Sequence, residues 1–567
     1  MMKCMKAVFA TLMLISSVPV MAENFTVRGD MASTIHYELQ HQITAGDSMK
    51  KLMLSFVVPE SFDSPTYKQS ITNFKITFSP PAQERTTTTD ARGNKTVLAT
   101  WTSVPPVIDA VVSFDAQTST GLKAIETHAP FPPAGVPDHL KVYLQTSEQV
   151  QTGDPAVRDL ALKLTRDVKT QFDAVQQVVS WVVDNVRYVN PPVQYDALYS
   201  LGTGKGNCQN FSHLTAALLR NVGVPVRIVN GVTMNQPFNV AWEKGTLTFK
   251  MGQGRHSWVE VWFPDLGWVP YDPQNMQFFV SNRFVRIEVG VDNNETKNDG
   301  LVRWAQSAEA RNKPKLQESI DARFVSDSTK VMATRQNYGP KNLLLGPNVQ
   351  AQFTKIEIPP PPPPPVIIPP EVKKEFRYNM PFVYGNLVFP ENIDFAFPRV
   401  TKAKGKGAFE MSRNFLVETA EYVTTNATQY AQVVELMKPV TLHKVGLALH
   451  KFGGEGWLWV DVFKDNDGRP GDPLFTTQMV NLDDISIKPG YRWVEFAFAE
   501  KERPVLMPGA YWIALGFSGT PIVNWFYTYG KPVGPVYGTR YKSVFAEDWS
   551  GALNYEFNYK VAGMTVK

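Results

Sequence analysis

The sequence predicts a multi-domain α+β protein, in which an N-terminal β-sandwich and a C-terminal jelly-roll-like β-sandwich flank a central α+β domain. Two long segments, 24–133 and 376–567, contain short runs of alternating apolar and polar residues separated by turn residues, which is the pattern of antiparallel strands. Between them, a helix-spaced apolar pattern is followed by further alternating runs. The chain has 567 residues, too many for one hydrophobic core.

The first residues have the pattern of a secretory signal peptide. Two lysines precede an apolar stretch, 7–20, and small residues stand before an expected cut at Glu23. The stretch is too short to span a bilayer, so we expect a periplasmic or secreted protein without stable membrane insertion. An uncleaved anchor is the less favoured alternative. Cleavage would remove Cys4 and leave one thiol, Cys208, in the mature protein.

The segment 23–145 is predicted to form the first β-sandwich. Alternating runs such as 52–58 and 97–101 are separated by turn clusters such as 90–94. Because no histidine and carboxylate occur there in a catalytic pattern, we expect this domain to support the next one or to position its substrate.

Cys208 stands at the predicted start of a helix. Apolar residues follow at helical spacing up to Val222, and Gly223 ends the pattern. Unpaired N–H groups and the helix dipole favour a thiolate at such a position. The alternative is a small buried hydrophobic residue. The polar neighbours of Cys208 favour an accessible thiol and a nucleophile.

A histidine and an aspartate follow on a predicted β-hairpin. The alternating run 255–263 begins next to His256, a turn follows at 264–267, and a second run ends at Asp272. The hairpin brings both residues to the same end of neighbouring strands, although the pattern does not fix the register. A half-exposed histidine and a turn-forming aspartate are the structural alternatives.

These segments together resemble the transglutaminase-like superfamily of papain-type thiol enzymes. The resemblance covers roughly 155–282 and implies a papain/transglutaminase-like α+β catalytic domain with Cys208 as nucleophile, His256 as general base and Asp272 as orienting carboxylate. Asn210 stands where many bacterial members have an acidic residue, which bears on substrate preference more than on the triad. The residues that carry the resemblance are Gly206-Asn207-Cys208, the stretch 218–227, His256-Ser257-Trp258-Val259-Glu260-Val261-Trp262 and Gly267-Trp268-Val269-Pro270-Tyr271-Asp272-Pro273.

The residue types predict acyl transfer through a thioester. Cys208 attacks a carbonyl while His256, oriented by Asp272, handles the proton. The backbone N–H of Cys208 is the natural first donor to the oxyanion. Gln209, Tyr188 and Trp258 are candidates by residue type for the second, although each can equally pack or form hydrogen bonds elsewhere.

The remaining chain is predicted to form a connector, a linker and a C-terminal domain. The stretch 291–357 is polar and partly strand-like. A proline run at 359–365 indicates a semi-rigid polyproline spacer. The expected boundaries are a signal peptide at 1–22, a β-sandwich at 23–145, a catalytic domain at 146–290, a polar connector at 291–357, a proline-rich linker at 358–375, and a C-terminal β-sandwich at 376–567.

The C-terminal domain resembles glycan- or surface-binding modules in architecture alone. Trp525, Tyr527 and Tyr529 have the residue type needed to stack on sugar rings, but aromatic residues spaced by two on a strand more often belong to a core. The acidic turn 465–468 fails the EF-hand pattern and fits a hairpin turn.

The expected function is cysteine-dependent hydrolysis of an amide in a protein or peptide, without a cofactor or metal. Protein-glutamine transamidation is an alternative, because it uses the same acyl-enzyme. A non-catalytic binding or adhesion protein on a retained thiol-enzyme scaffold is another. The net charge of +4 and the absence of a basic run with interleaved aromatics exclude a nucleic-acid partner. A cell-surface glycan remains the expected ligand class for the C-terminal domain.

Overall fold

The computed structural model describes residues 23–242, 245–274, 278–307, 309–336, 348–351, 377–388, 398–402, 407–413, 420–424, 427–488, 490–528, 538–553 and 555–566. These residues form a mostly β protein with several large sheets and one helical region between them. The predicted signal peptide and proline-rich linker lie outside the described residues. Among the described residues, no helix is both long enough and apolar enough to cross a bilayer.

Two sheets share the N-terminal core. Their inward side chains, among them Tyr37, Phe56, Trp101 and Phe114, pack in one apolar cluster. The first sheet contains β1 (Glu23–Thr44), β3 (Phe62–Asp63), β4 (Tyr67–Ser79), β7 (Val107–Leu122), β11 (Phe238–Trp242), β12 (Gly245–Phe249), β17 (Lys315–Gln336), β18 (Asn348–Ala351) and β33 (Ala552–Leu553). The second contains β2 (Met49–Val58), β5 (Glu84–Thr89), β6 (Lys95–Trp101), β16 (Leu301–Gln306), β20 (Pro398–Lys402) and β21 (Ala408–Arg413).

The polar connector predicted at 291–357 supplies strands to both of these sheets. β17 pairs antiparallel with β1 along almost its whole length, from Asn24 opposite Gln336 to Thr44 opposite Lys315. β16 pairs with β2, and β21 adds to the other edge of β16. The connector therefore returns to the N-terminal sheets, and part of the predicted C-terminal segment does the same through β20 and β21. The pairing of β17 with β1 satisfies backbone N–H and C=O groups that would otherwise bind water.

The central region combines four helices with a four-stranded antiparallel sheet. The helices are α1 (Pro155–Thr165), α2 (Gln171–Asn185), α3 (Ala197–Thr203) and α4 (Cys208–Asn221). The strands are β10 (Val226–Thr233), β13 (Gly254–Phe263), β14 (Gly267–Tyr271) and β15 (Phe284–Gly290), in the order β14-β13-β10-β15. A short parallel ribbon joins β8 (Arg187–Tyr188) to β9 (Lys205–Gly206). A 3-10 helix spans Asp138–Leu144.

Helix α4 is buried between this sheet and the other helices. Phe211, Leu214 and Leu218 are fully buried at the spacing that the sequence predicts, and they join α2 and β13 in one apolar cluster. The helix ends before Gly223, which has a φ of 84° that side-chain-bearing residues rarely adopt. The position of α4 is therefore fixed by its buried face, and its end is set by Gly223.

Two further sheets form the C-terminal region. One contains β19 (Tyr378–Gly385), β22 (Ala420–Tyr422), β24 (Val440–Gly453), β28 (Arg492–Ala497), β29 (Val505–Leu506), β31 (Ile522–Thr528), β34 (Glu556–Phe557) and β35 (Tyr559–Val566). The other contains β23 (Thr428–Leu436), β25 (Gly456–Asp465), β26 (Pro470–Thr476), β27 (Val480–Asn481), β30 (Gly509–Gly519) and β32 (Thr539–Ser543). Short 3-10 helices span Leu482–Asp484 and Glu500–Glu502.

The aromatic side chains considered for glycan stacking lie inside this region. Trp525 is 0% exposed and stacks on Phe557 at 4.3 Å, and Tyr527 is 1% exposed and stacks on Tyr555 at 3.9 Å. Neither ring presents a face to a sugar, so for these two residues the structure gives the core packing that was the alternative. Tyr529 lies outside the described residues.

Candidate active site

The nucleophile candidate stands at the first residue of α4. A capping box fixes this end of the helix: the Asn207 side chain accepts a hydrogen bond from the Gln209 N–H at 3.1 Å, and the Asn210 side chain accepts one from the Asn207 N–H at 3.1 Å. The preceding ribbon comes close to the helix, because a Cβ on Gly206 would lie 2.2 Å from the Cβ of Asn210. Cys208 is therefore held on a rigid element.

Asn210, where the family pattern often has an acidic residue, also donates. Its Nδ2 binds the backbone carbonyl oxygens of Gln194 and Asp196 at 3.1 and 3.0 Å. A carboxylate could replace the Oδ1 contact to the cap but could not donate to these carbonyls. In this chain, the residue ties the helix start to the segment before α3.

The base candidate and its carboxylate lie on the β13–β14 hairpin. The register places Val259 opposite Tyr271, so Asp272 follows directly after β14 and faces the part of β13 that contains His256. His256 Nε2 and Asp272 Oδ2 are 3.0 Å apart, and both side chains are fully buried. Asp272 Oδ1 accepts a second hydrogen bond from the Gln274 N–H at 3.0 Å. These contacts fix the carboxylate and hold the ring by one nitrogen.

The electrostatics of this pair favour a protonated imidazole. Burial alone lowers the pKa of His256, but the charge and hydrogen bond of Asp272, together with the neighbouring Cys208, outweigh burial and raise it from 6.5 to about 10. Nε2 faces Asp272, and Nδ1 has no hydrogen-bond partner of ordinary geometry among the described residues. Nδ1 is therefore the nitrogen left for the Cys208 thiol, and the arrangement supports a thiolate–imidazolium pair.

The strand that contains His256 is anchored by the N-terminal sheet. Arg255, the preceding residue, forms buried ion pairs with Asp299 at 2.7 Å and with Glu318 of β17 at 3.1 Å. On the other side, the His256 ring stacks near Trp258 at 6.1 Å and meets the edge of Phe284 at 5.7 Å. The carboxylates that anchor this strand thus come from the segment predicted as a polar connector, Glu318 from its strand β17. The sequence motif does not single out Arg255, and only its place next to His256 hints at a function.

The thiol is less accessible than its polar neighbours indicate. Cys208 is 1% exposed, so the expectation of an accessible thiol is wrong for this conformation. The polar groups of Asn207 and Asn210 form the capping box, so these side chains are buried with the thiol. The side chains considered as second oxyanion donors, Gln209, Tyr188 and Trp258, are buried as well, and Tyr188 lies on β8.

A family model confirms the resemblance that these segments carry. Residues 158–273 match the transglutaminase-like superfamily, so this part of the chain is a transglutaminase-like core domain. The matched range contains all three members of the Cys-His-Asp arrangement.

Proteins of known sequence match only part of this chain. The chain is 34% identical to the uncharacterized protein YebA of Bacillus subtilis over 125 residues, which cover 21% of this chain and 17% of that protein. An uncharacterized Mycobacterium leprae protein is 30% identical over 122 residues, or 21% of this chain and 40% of that protein. A Haemophilus influenzae protein is 23% identical over 199 residues, or 32% of this chain and 53% of that protein. The chain thus matches about half or less of each relative.

Two solved structures show more distant likeness. A crystal structure from Cytophaga hutchinsonii, described as a candidate cysteine protease, covers 56% of this chain and 98% of its own at 17% identity, with a TM-score of 0.40. The periplasmic domain of TgpA from Pseudomonas aeruginosa covers 41% of this chain and 89% of its own at 15% identity, with a TM-score of 0.23.

Proposed function

We propose that this protein is a thiol enzyme that forms an acyl-enzyme on Cys208 from an amide in a protein or peptide, and that it hydrolyses this intermediate. The observation that carries the proposal is the buried His256–Asp272 pair, held at 3.0 Å, beside a cysteine that begins a helix. Each group has the chemical role that its position requires: Cys208 is the nucleophile, His256 moves the proton, and Asp272 orients and stabilises the imidazolium.

The mechanism follows from these contacts. The Cys208 thiolate attacks the carbonyl carbon, forming a C–S bond and an oxyanion, toward which the Cys208 N–H at the helix start can donate. The C–N bond then breaks, and the His256 imidazolium gives its Nδ1 proton to the departing amine. In the second step, Nδ1 takes a proton from water as the water oxygen attacks the thioester. The C–S bond breaks, the carboxylic acid leaves, and the Cys208 thiolate is restored beside the imidazolium.

Hydrolysis and transamidation differ only in what attacks the thioester. The assay incubates the protein with casein and dansylcadaverine and follows both peptide release and fluorescent labelling of casein. Casein cleavage without labelling, lost in Cys208→Ser, supports hydrolysis. Labelling that exceeds cleavage overturns the hydrolytic assignment and leaves the acyl-enzyme in place.

A non-catalytic scaffold is the second candidate, and the burial of Cys208 is the observation that favours it. A thiol that is sealed in the native state reacts slowly with iodoacetamide, while an activated thiolate reached by local opening reacts fast. The rate of labelling in the native protein, compared with that in urea, distinguishes them. Labelling that needs global unfolding would favour the scaffold.

The segments outside the core domain are assigned roles that fit this chemistry. We assign residues 1–22 as a cleaved signal peptide, and the sheets on either side of the core domain as β-sandwich domains that support the site or hold the enzyme near a surface. Export of the full chain from a bacterial host, followed by intact mass, tests the first assignment, because cleavage leaves a protein that starts at Glu23. An uncut chain in the membrane fraction would favour the anchor.

A further inference from the structure

We infer that the side-chain amide of Asn207, the residue before the nucleophile, is the second donor to the oxyanion. The inference rests on the proposed acyl-enzyme chemistry and adds a catalytic residue to it. This assignment replaces Gln209 and Tyr188 as candidates for the second donor.

The helix cap fixes the orientation of the Asn207 side-chain amide. Asn207 Oδ1 accepts a hydrogen bond from the Gln209 N–H at 3.1 Å. A donor amide nitrogen in that place would oppose another N–H, so the cap determines which end of the side chain is oxygen and which is nitrogen. Because Nδ2 shares a carbon with the bound Oδ1, it is held beside the first turn of α4, where the N–H of Cys208 also has no acceptor within the helix.

This amide nitrogen is buried but makes no hydrogen bond within the described part of the chain. Asn207 is 1% exposed, and its Nδ2 has no hydrogen-bond partner among the described residues. A buried amide N–H without a partner destabilises the folded state, so its retention calls for an explanation. An oxyanion formed on a carbonyl bound to Cys208 provides the missing acceptor at the moment when charge develops.

Asn207 is held rigidly by its neighbours on α4. The Asn207 backbone N–H is held by Asn210, and its side-chain oxygen is held by Gln209, so the donor needs no reorganisation when the oxyanion forms. Preorganised donors of this kind are what make an oxyanion site effective. Gln274 also has an unpartnered buried amide, but its known contact is a backbone hydrogen bond to Asp272, on the carboxylate side of the triad.

The test compares two reactions of the same thiol. With p-nitrophenyl acetate, the Cys208 sulfur attacks a carbonyl carbon, an oxyanion forms, and p-nitrophenolate leaves as the acetyl thioester is made. With iodoacetamide, the sulfur displaces iodide from a saturated carbon and no oxyanion forms. Only the first reaction uses an oxyanion donor, so the ratio of the two rates separates that role from thiol reactivity and access.

The informative variant is Asn207→Ser, because serine keeps the helix cap and loses the amide donor. We expect acetylation to slow by about 100-fold, as loss of one oxyanion donor does in other enzymes, while alkylation stays within about 2-fold of wild type. Asn207→Asp, which keeps both the shape and the cap, is the second variant and should lower the same ratio. Asn481→Ser is the matched control, since Asn481 caps a remote 3-10 helix through the Asp483 N–H at 2.9 Å.

The outcomes separate the two proposals. If both Asn207 variants are acetylated at the wild-type rate, the role of Asn207 is overturned while the acyl-enzyme proposal stands. Acetylation and alkylation that fall in proportion overturn it too, because they show a structural effect on the thiol. Absence of Cys208 acetylation in the wild-type protein, with normal alkylation, refutes the acyl-enzyme and this inference with it.

Discussion

Replacement of Asp272 by asparagine removes the charge that holds the His256 imidazole protonated. Asp272 and Cys208 together raise the pKa of His256 from 6.5 to about 10 against the effect of burial, a rise that corresponds to roughly 5 kcal/mol of preference for the protonated ring. Without the carboxylate, burial dominates and the ring is neutral at pH 7. The Cys208 thiolate then loses its imidazolium partner, and we expect its alkylation at pH 7 to slow by at least about 10-fold.

The assay measures the rate of iodoacetamide labelling by intact mass at a series of pH values. The wild-type protein should label fast at neutral pH, while Asp272→Asn should label slowly there and recover only at higher pH. Equal rates for both proteins at neutral pH would refute the reasoning, because they would show that the His256–Asp272 pair does not activate the thiol.

The matched control is Asp265→Asn, in the turn of the same hairpin. Asp265 accepts hydrogen bonds from the Thr127 hydroxyl at 2.9 Å and from the His128 N–H at 2.8 Å, and it has no role in the proposed chemistry. This substitution should leave the labelling rate unchanged. A slow Asp265→Asn variant would mean that loosening the hairpin, rather than the lost charge, explains the effect of Asp272→Asn.

Three further predictions follow from buried charges. The pKa of Glu288 is raised from 4.5 to about 8, chiefly by burial, so the folded protein loses stability as pH rises between these values. Glu288→Gln should remove this pH dependence of the unfolding free energy, measured by urea titration at several pH values. An unchanged pH dependence contradicts it. Glu260→Gln leaves Arg227 and Arg286 without their buried counter-charge. It should cost about 3 kcal/mol in unfolding free energy, and a negligible loss would refute the pairing. The wild-type acylation rate on amides should fall as pH rises through the His256 pKa of about 10, and a rate that keeps rising contradicts the proton-donor role.

The parts of the site that the sequence predicts are those determined by local pattern. The helix that starts at Cys208 has its buried face and its terminator within one short segment, and α4 spans Cys208–Asn221. His256 and Asp272 lie on one hairpin, so a turn and two alternating runs are enough to bring them together. The register, which the pattern leaves open, comes from the tertiary packing of both faces.

The parts that the sequence does not predict depend on distant partners. The sequence of β17 predicts only a polar, partly strand-like stretch, because many of its side chains are exposed, with Val325 67% exposed. No local pattern indicates that β1 is its partner. The hairpin β11–β12 belongs by chain position to the catalytic domain, yet it extends the N-terminal sheet and pairs with β33 near the end of the chain. Alternation identifies a strand but not the strand beside it.

Burial of the thiol is the third such case. Polar residues on both sides of Cys208 favour exposure when each is counted alone. In the structure, the Asn207 N–H donates to the Asn210 side chain and the Asn207 Oδ1 accepts from the Gln209 N–H, so these polar atoms are buried with their hydrogen bonds made. A capping box is visible in the sequence only when its reciprocal hydrogen bonds are considered together.

The most direct measurement of the central claim is to trap the acyl-enzyme. The protein is mixed with p-nitrophenyl acetate and quenched in acid, and the site of acetylation is mapped by mass spectrometry. The account predicts one acetyl group per chain, on Cys208. It predicts no acetylation at this position in Cys208→Ser and much slower acetylation of Cys208 in His256→Ala. Acetylation confined to lysines, with Cys208 unmodified in the native wild-type protein, would contradict it.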